Sequence, residues 1–333
     1  MKKILFLYVL ISLKTYAQKS DFKHINFANA DSIANSYKNE NLKSLPKLAL
    51  LLTKNLDTDA EKFRAIYMWV SKNIKGDHAA VSKNTRKRTR FKNDSIKLNL
   101  WNKSFNKILF KKLLKNKKTV CTGYAYLIRE LCTLTNIEAK IIDGYGRSAE
   151  VNIGELSIPN HSWNAIKLNT KWYLADATWS SGYTDLNRNT FILDYNDGYF
   201  LTEPQLFLKS HYPLVEKWKL LQDDVSSTLN FVNAPLVYGE TFKLQIITIY
   251  PIEMKNNISK DEEFFFQLQE NNELDLSQID IQIENFPYTK PISIKRTNKK
   301  IHIKYKFKFK GFYDVHLLYK KQVIATYTFK VGH

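Results

Sequence analysis

The period of the apolar residues changes along the chain, and this restricts the fold more than any single motif. Between Asp59 and Asn73, residues Phe63, Ile66, Tyr67 and Val70 recur at the spacing of one helix face, with Asp57 or Asp59 as the expected cap. The same period marks residues 28–39, the LPKLALLL run from Leu45, and residues 98–114, where Leu100, Trp101, Phe105, Ile108, Leu109 and Leu113 share a stripe. From about Ser226 onward the period is two. Between Ile301 and Phe309, apolar side chains alternate with His302, Lys304, Lys306 and Lys308. Residues 241–250, 264–268, 279–283 and 323–331 read as further strands. The chain is therefore expected to be α+β, with some seven short strands forming a terminal all-β sandwich of immunoglobulin-like type without its disulfide. That part holds no cluster of candidate catalytic groups.

The chemistry points to the middle of the chain. Cys121 is placed just before a helical stripe of Tyr124, Leu127, Ile128, Leu131 and Leu134. A helix dipole at that position lowers a thiol pKa and favours the nucleophilic thiolate. Cys132 lies eleven residues further on. Across a helix that separates the two Cα atoms by roughly 16 Å, far beyond disulfide reach. Cys132 is thus read as a small buried hydrophobe.

Residues 140–145 then read as a strand, and 161–168 with 171–179 as a hairpin turning at Asn169-Thr170. In that register Leu168 pairs with Lys171, which makes His161 and Asp176 diagonal neighbours on one face. A thiol nucleophile needs a base, and the base needs an orienting group. Cys121, His161 and Asp176 supply these in the chain order of a papain-type site. His211 reads as a residue that packs or hydrogen-bonds structurally, Trp163, Trp172 and Trp179 as core or cleft walls, and Asp143 and Asp185 as loop or strand-end carboxylates. No grouping has zinc or calcium spacing, so neither cofactor nor metal is expected.

Two further features bear on location and partners. Met1-Lys2-Lys3, the apolar run from Ile4 to Leu13 and Thr15-Tyr16-Ala17 form the pattern of a cleavable secretory signal. This predicts a signal at 1–17 and a periplasmic or secreted mature protein without a transmembrane segment. The net charge of +19 is concentrated: between Lys72 and Lys118, sixteen Lys/Arg face only Asp77 and Asp94, a net of +14. Residues 83–92 lack an apolar face and are expected to form an exposed loop. A basic segment of this kind is most simply a solvated surface. An anionic envelope surface contacted through residues 83–118 is the functional alternative. The secretory pattern and the lack of a recognised nucleic-acid fold argue against nucleic acid.

Four ordered stretches resemble the transglutaminase-like superfamily of cysteine-dependent enzymes. They are YMWVSKNIKGD (67–77), TVCTGYAYLIRELC (119–132), HSWNAIKLNTKWYLADATW (161–179) and DGYFLTEPQLFLKSHYPLVEKWKLL (197–221). The first and last resemble the branch of the kyphoscoliosis peptidase and the cytokinesis transglutaminase-like proteins. Gly76 stands where that branch usually has Tyr, and a basic insertion precedes Cys121. The resemblance implies a transglutaminase-like or papain-like core over 18–225, with an insertion at about 77–118, before the sandwich at 226–333.

It further implies Cys121 as nucleophile, His161 as base and Asp176 as its orienting group, acting on a protein or peptide through a thioester. The Cys121 backbone N–H is a natural oxyanion donor. Trp101 or another side chain could be the second. Hydrolysis, as in a peptidase or amidase, is the leading expectation. Acyl transfer from protein glutamine to an amine uses the same three residues, and a catalytically silent binding or scaffold protein is the reading from another class.

Overall fold

The computed structural model describes residues 19–148, 156, 158–185, 187–188, 190–221, 227–284 and 290–332. The expected signal at 1–17 and the expected boundary near 225 lie outside these residues. The described part of the chain is mixed helix and sheet, with helices and a smaller sheet before the terminal sheets.

Four helices build the first core: α1 (Ala28–Ser36), α2 (Leu45–Thr53), α3 (Asp59–Asn73) and, much later in the chain, one at Cys121–Thr133. Ten of the fifteen residues of α3 are buried, because its neighbours cover nearly every face. Its cap is Thr58 and neither predicted aspartate: Thr58 accepts from the Glu61 N–H while Glu61 reaches back, closing a capping box.

Residues 75–119 contain the largest departure from expectation. After β1 (Lys75–Gly76) the chain forms α4 (His78–Arg90), then α5 (Ser95–Asn116), and returns through β2 (Lys118–Thr119). The expected loop at 83–92 is thus mostly helix. Its stripe pattern is blank because the helix docks by one edge only, through Ala80 and the Asn84 carbonyl that accepts Trp101 Nε1–H at 2.9 Å. Asp77 caps α4 by accepting from Ala80 N–H, and its buried carboxylate is ion-paired to Lys112 and, at 3.8 Å, to Lys118. Arg and Lys are good helix formers once a cap is in place. On α5 only Phe105, Leu109 and Leu113 are buried, while Leu100 and Ile108 of the predicted stripe face outward.

The helix that Cys121 opens, α6 (Cys121–Thr133), lies against a four-stranded antiparallel sheet. Its strands are β3 (Ala139–Gly146), β4 (His161–Leu168), β5 (Lys171–Ala175) and, after the short helix α7 (Ala177–Ser181) and the hairpin β6 (Gly182–Asp185) and β7 (Thr190–Leu193), β8 (His211–Pro213). The order is β5-β4-β3-β8. Every residue of β4 except Lys167 is buried, because both faces are covered. Asn164 Nδ2 donates to the Ala125 carbonyl of α6 at 3.0 Å, while Trp163 and Ala165 pack on the opposite side with Phe207. Leu168 pairs with Lys171 as expected, and Asn169 and Thr170 both take positive φ, the signature of a tight hairpin turn. The second strand is shorter than expected. It stops at Ala175, because Asp176 turns the chain into α7.

The terminal part is two sheets packed face to face over one core that includes Phe266, Ile301 and Ile303 on one side and Ile281, Leu317 and Phe329 on the other. One sheet runs Ile246–Tyr250, Glu263–Glu270, Lys300–Lys306, Ser293–Thr297, all antiparallel. In the other, Ile279–Ile283, Gly311–Tyr319 and Gln322–Gly332 are antiparallel, and Lys255–Ser259 joins parallel to the last. The expected strand at 241–250 begins only at Ile246. Gly239–Leu244 is helical, with Phe242 buried against Tyr199 and so tied to the first core.

Candidate active site

The site is assembled from three chain ends. Cys121 opens α6, and its cap, Val120, offers no side-chain acceptor to the first-turn N–H groups. His161 opens β4. Asp176 follows β5 and caps α7, with Oδ1 accepting from Thr178 N–H at 2.7 Å and Trp179 N–H at 3.3 Å. The peptide carbonyl of Asp176 in turn accepts from buried Tyr67 of α3 at 2.9 Å. Both ends of this residue are therefore held.

The structure brings Cys121, His161 and Asp176 together. His161 Nε2 donates to Asp176 Oδ2 at 2.7 Å. The Cys121 thiol lies close enough to this imidazole for each group to shift the other's titration. With Nε2 engaged by the carboxylate, Nδ1 is the nitrogen left for sulfur. Trp179 stacks on the imidazole at 5.0 Å between centroids. Burial would raise the Cys121 pKa, but the hydrogen bond and charge of His161, with the Ser162 N–H, bring it below the ordinary thiol value. Burial would likewise lower His161, yet the Asp176 carboxylate and then Cys121 hold it up, to about 10. Asp176 is buried but stays well below the usual carboxylate range, because His161 and His211 oppose its desolvation. All three shifts favour a thiolate–imidazolium pair.

His211, read from the sequence as packing or hydrogen-bonding structurally, belongs to this group. Its Nε2–H donates to the same Asp176 Oδ2 at 3.1 Å, and its Nδ1 accepts from Ser210 Oγ–H at 2.8 Å. The ring is fully buried and stacked on Phe207, and burial holds its pKa down to about 4, so it is a neutral donor. Two strands flanking β3 deliver the two rings, His161 opposite Gly144 and His211 opposite Gly146. Glycine is needed there. A Cβ on Gly146 would lie 3.0 Å from His161 Cβ and 3.1 Å from Trp179. The paired glycines in KIIDGYG were the available signal: two side-chain-free positions on one strand face leave room for rings from both neighbours.

The donor atoms of His161, Asp176 and His211 lie within 4.8 Å of one another, a grouping that sequence spacing did not reveal. Both Nε2 hydrogens are spent on one carboxylate oxygen and the amides of α7 hold the other, so the arrangement is a satisfied hydrogen-bond chain. Cys132 is buried and free, and burial drives its thiol pKa far upward. Trp101, a candidate second oxyanion donor, has its indole N–H committed to Asn84.

Residues 46–177 match the model of the transglutaminase-like superfamily. The chain carries a transglutaminase-like domain. It is 31% identical over 209 residues to the human kyphoscoliosis peptidase, covering 62% of this chain and 29% of that protein. To hillarin of Drosophila melanogaster it is 27% identical over 233 residues, covering 66% and 26%. The chain thus spans under a third of the length of these curated relatives. A solved structure described as a TGase is 16% identical, with a TM-score of 0.28 over 50% of this chain and 37% of that one. The transglutaminase-like domain is of the cysteine-dependent hydrolase or acyltransferase kind, and no described helix is long and apolar enough to cross a membrane.

Proposed function

We propose that this chain is a secreted or periplasmic hydrolase of peptide or amide bonds, with Cys121 as nucleophile, His161 as base and acid, and Asp176 as the group that orients the imidazole. The observation carrying this reading is the meeting of the Cys121 thiol with an imidazole whose Nε2 is hydrogen-bonded to a carboxylate 2.7 Å away. The thiolate attacks the carbonyl carbon, and the developing oxyanion faces the first-turn amides of α6. His161 passes its proton to the departing amine. It then takes one from the water that opens the thioester. The similarity to the human kyphoscoliosis peptidase favours water over an amine as acceptor. The pattern at residues 1–17 supports export.

Iodoacetamide labelling at pH 7 tests the site directly. Cys121 should react at least about tenfold faster than a free thiol, and His161→Ala should abolish the advantage. Labelling of Cys121 at the ordinary thiol rate would overturn the proposal. Peptide hydrolysis set against amine incorporation then decides the acceptor.

A second surface supports an envelope contact. On α5, Ile96, Leu100 and Ile108 are 72%, 63% and 57% exposed among lysines, as expected of a helix lying on an anionic lipid surface.

A further inference from the structure

Arg88 takes no part in the chemistry above, yet the charge of Cys121 reaches it. Ala80, Asn84 and Arg88 are four residues apart and form one stripe along α4. Ala80 packs with Phe105, Leu109 and Val120, the residue before the nucleophile, and Asn84 holds Trp101. Arg88 continues that stripe. Its Nε is sealed from solvent and meets no hydrogen-bond partner among the described residues. No described carboxylate lies within ion-pair distance of it, although Arg64 and Arg296 each find two. The negative groups whose charge reaches it are Cys121 and Asp143, and Asp143 is bonded at 2.7 Å to Ser162, the neighbour of His161.

A guanidinium loses hydration when half-buried and normally recovers it with acceptors of its own. Here, among the described residues, nothing accepts from the sealed Nε, while the charge of Cys121 reaches the group. Its planar fork of N–H donors fits a carboxylate better than a neutral carbonyl. We propose that Arg88 binds a carboxylate of the acyl substrate, so that the cleft selects acidic peptides with a negative group close to the bond attacked by Cys121. This rests on the thiol-site reading and adds the substrate class to it. It also gives the basic insertion a role beyond solvation, through one inward residue.

Alkylation of Cys121 in the full chain by iodoacetate and by iodoacetamide separates the two ideas. The reagents form the same S–C bond with loss of iodide and differ in carrying a carboxylate or an amide. Arg88→Met should lower the iodoacetate-to-iodoacetamide rate ratio by about tenfold while leaving the neutral rate within about twofold. The neutral rate also reports that the variant is folded. Arg90→Met, which removes the same charge from an exposed position on the same helix, should leave the ratio unchanged.

A ratio that moves no more in Arg88→Met than in Arg90→Met would overturn the inference while the thiol site stands. If wild-type Cys121 reacts with neither reagent faster than a free thiol, the thiol-site reading fails and takes this inference with it. Peptides with internal Glu or Gln, each with a free or amidated C-terminus, then identify the carboxylate. An advantage for the Glu peptides assigns it to a side chain, and an advantage confined to free C-termini assigns it to the chain end. Equal cleavage of all four would refute the proposal.

Discussion

Asp176 holds two histidines whose titrations pull stability in opposite directions, and the variant His211→Gln isolates one of them. The folded value of His211 is about 4, against 6.5 for an ordinary histidine. Between those values the unfolded chain takes up a proton that the folded chain refuses. Stability therefore falls as the pH falls, at about 1.4 kcal/mol per pH unit and by at most about 3 kcal/mol. His161 lies on the other side, raised to about 10. Its contribution is complete below 6.5 and is lost as the pH rises toward 10. Asp176 is depressed, so its contribution is present above the unfolded carboxylate value and disappears only below it, outside the window used here. Glutamine keeps an N–H donor for Asp176 and an acceptor for Ser210 but does not titrate. Urea unfolding, followed by tryptophan fluorescence at pH 6.5 and pH 5, should show the wild type losing about 2 kcal/mol more than His211→Gln. Parallel losses in the two proteins would refute the claim that His211 is a buried neutral donor.

Asp176→Asn should slow iodoacetamide labelling of Cys121 at pH 7 by at least about 100-fold and move the thiol titration back toward the ordinary value, since an amide nitrogen cannot accept from either imidazole. A pH–rate profile of labelling checks it. Gly144→Ala places a methyl 2.2 Å from the Tyr212 carbonyl and 2.5 Å from Trp163, and should cost about 3 kcal/mol by denaturation, because both neighbours are buried. Vesicles containing phosphatidylglycerol should retain the protein at low salt. Leu100→Asp together with Ile108→Asp should release it, as measured by cosedimentation against phosphatidylcholine vesicles.

The parts legible from sequence are those in which a residue's neighbours recur at a fixed period. Helix α3 and strand β4 were placed this way, and the hairpin register that makes His161 and Asp176 neighbours followed from the turn at Asn169-Thr170. What escaped depends on partners far away in the chain. Helix α4 has no apolar stripe because its anchors are Trp101 and Lys112, on a different helix. Asp176 ends β5 early because its carboxylate captures the amides of Thr178 and Trp179, a local preference that outweighs strand period. His211 reaches the site only because β8 pairs with β3 beside two glycines, a register set by residues more than sixty positions apart. Arg88 looked like one more surface charge because the Ala80–Asn84–Arg88 stripe carries no large apolar side chain.

The short pairing of β1 with β2 sets how this insertion can be exchanged. Lys75 lies beside Lys118 and Gly76 beside Thr119, so residues 77–117 leave and re-enter the domain at one neck. The two strands run parallel, so a tight reversal cannot join them. Any replacement must be a crossover of about a dozen residues or more. Subject to that minimum, a different cassette could be grafted between Gly76 and Lys118 while the helix carrying Cys121 keeps its seat. On the reading proposed above, substrate choice and bond-making chemistry then become separately heritable, and separately engineerable, properties of one polypeptide.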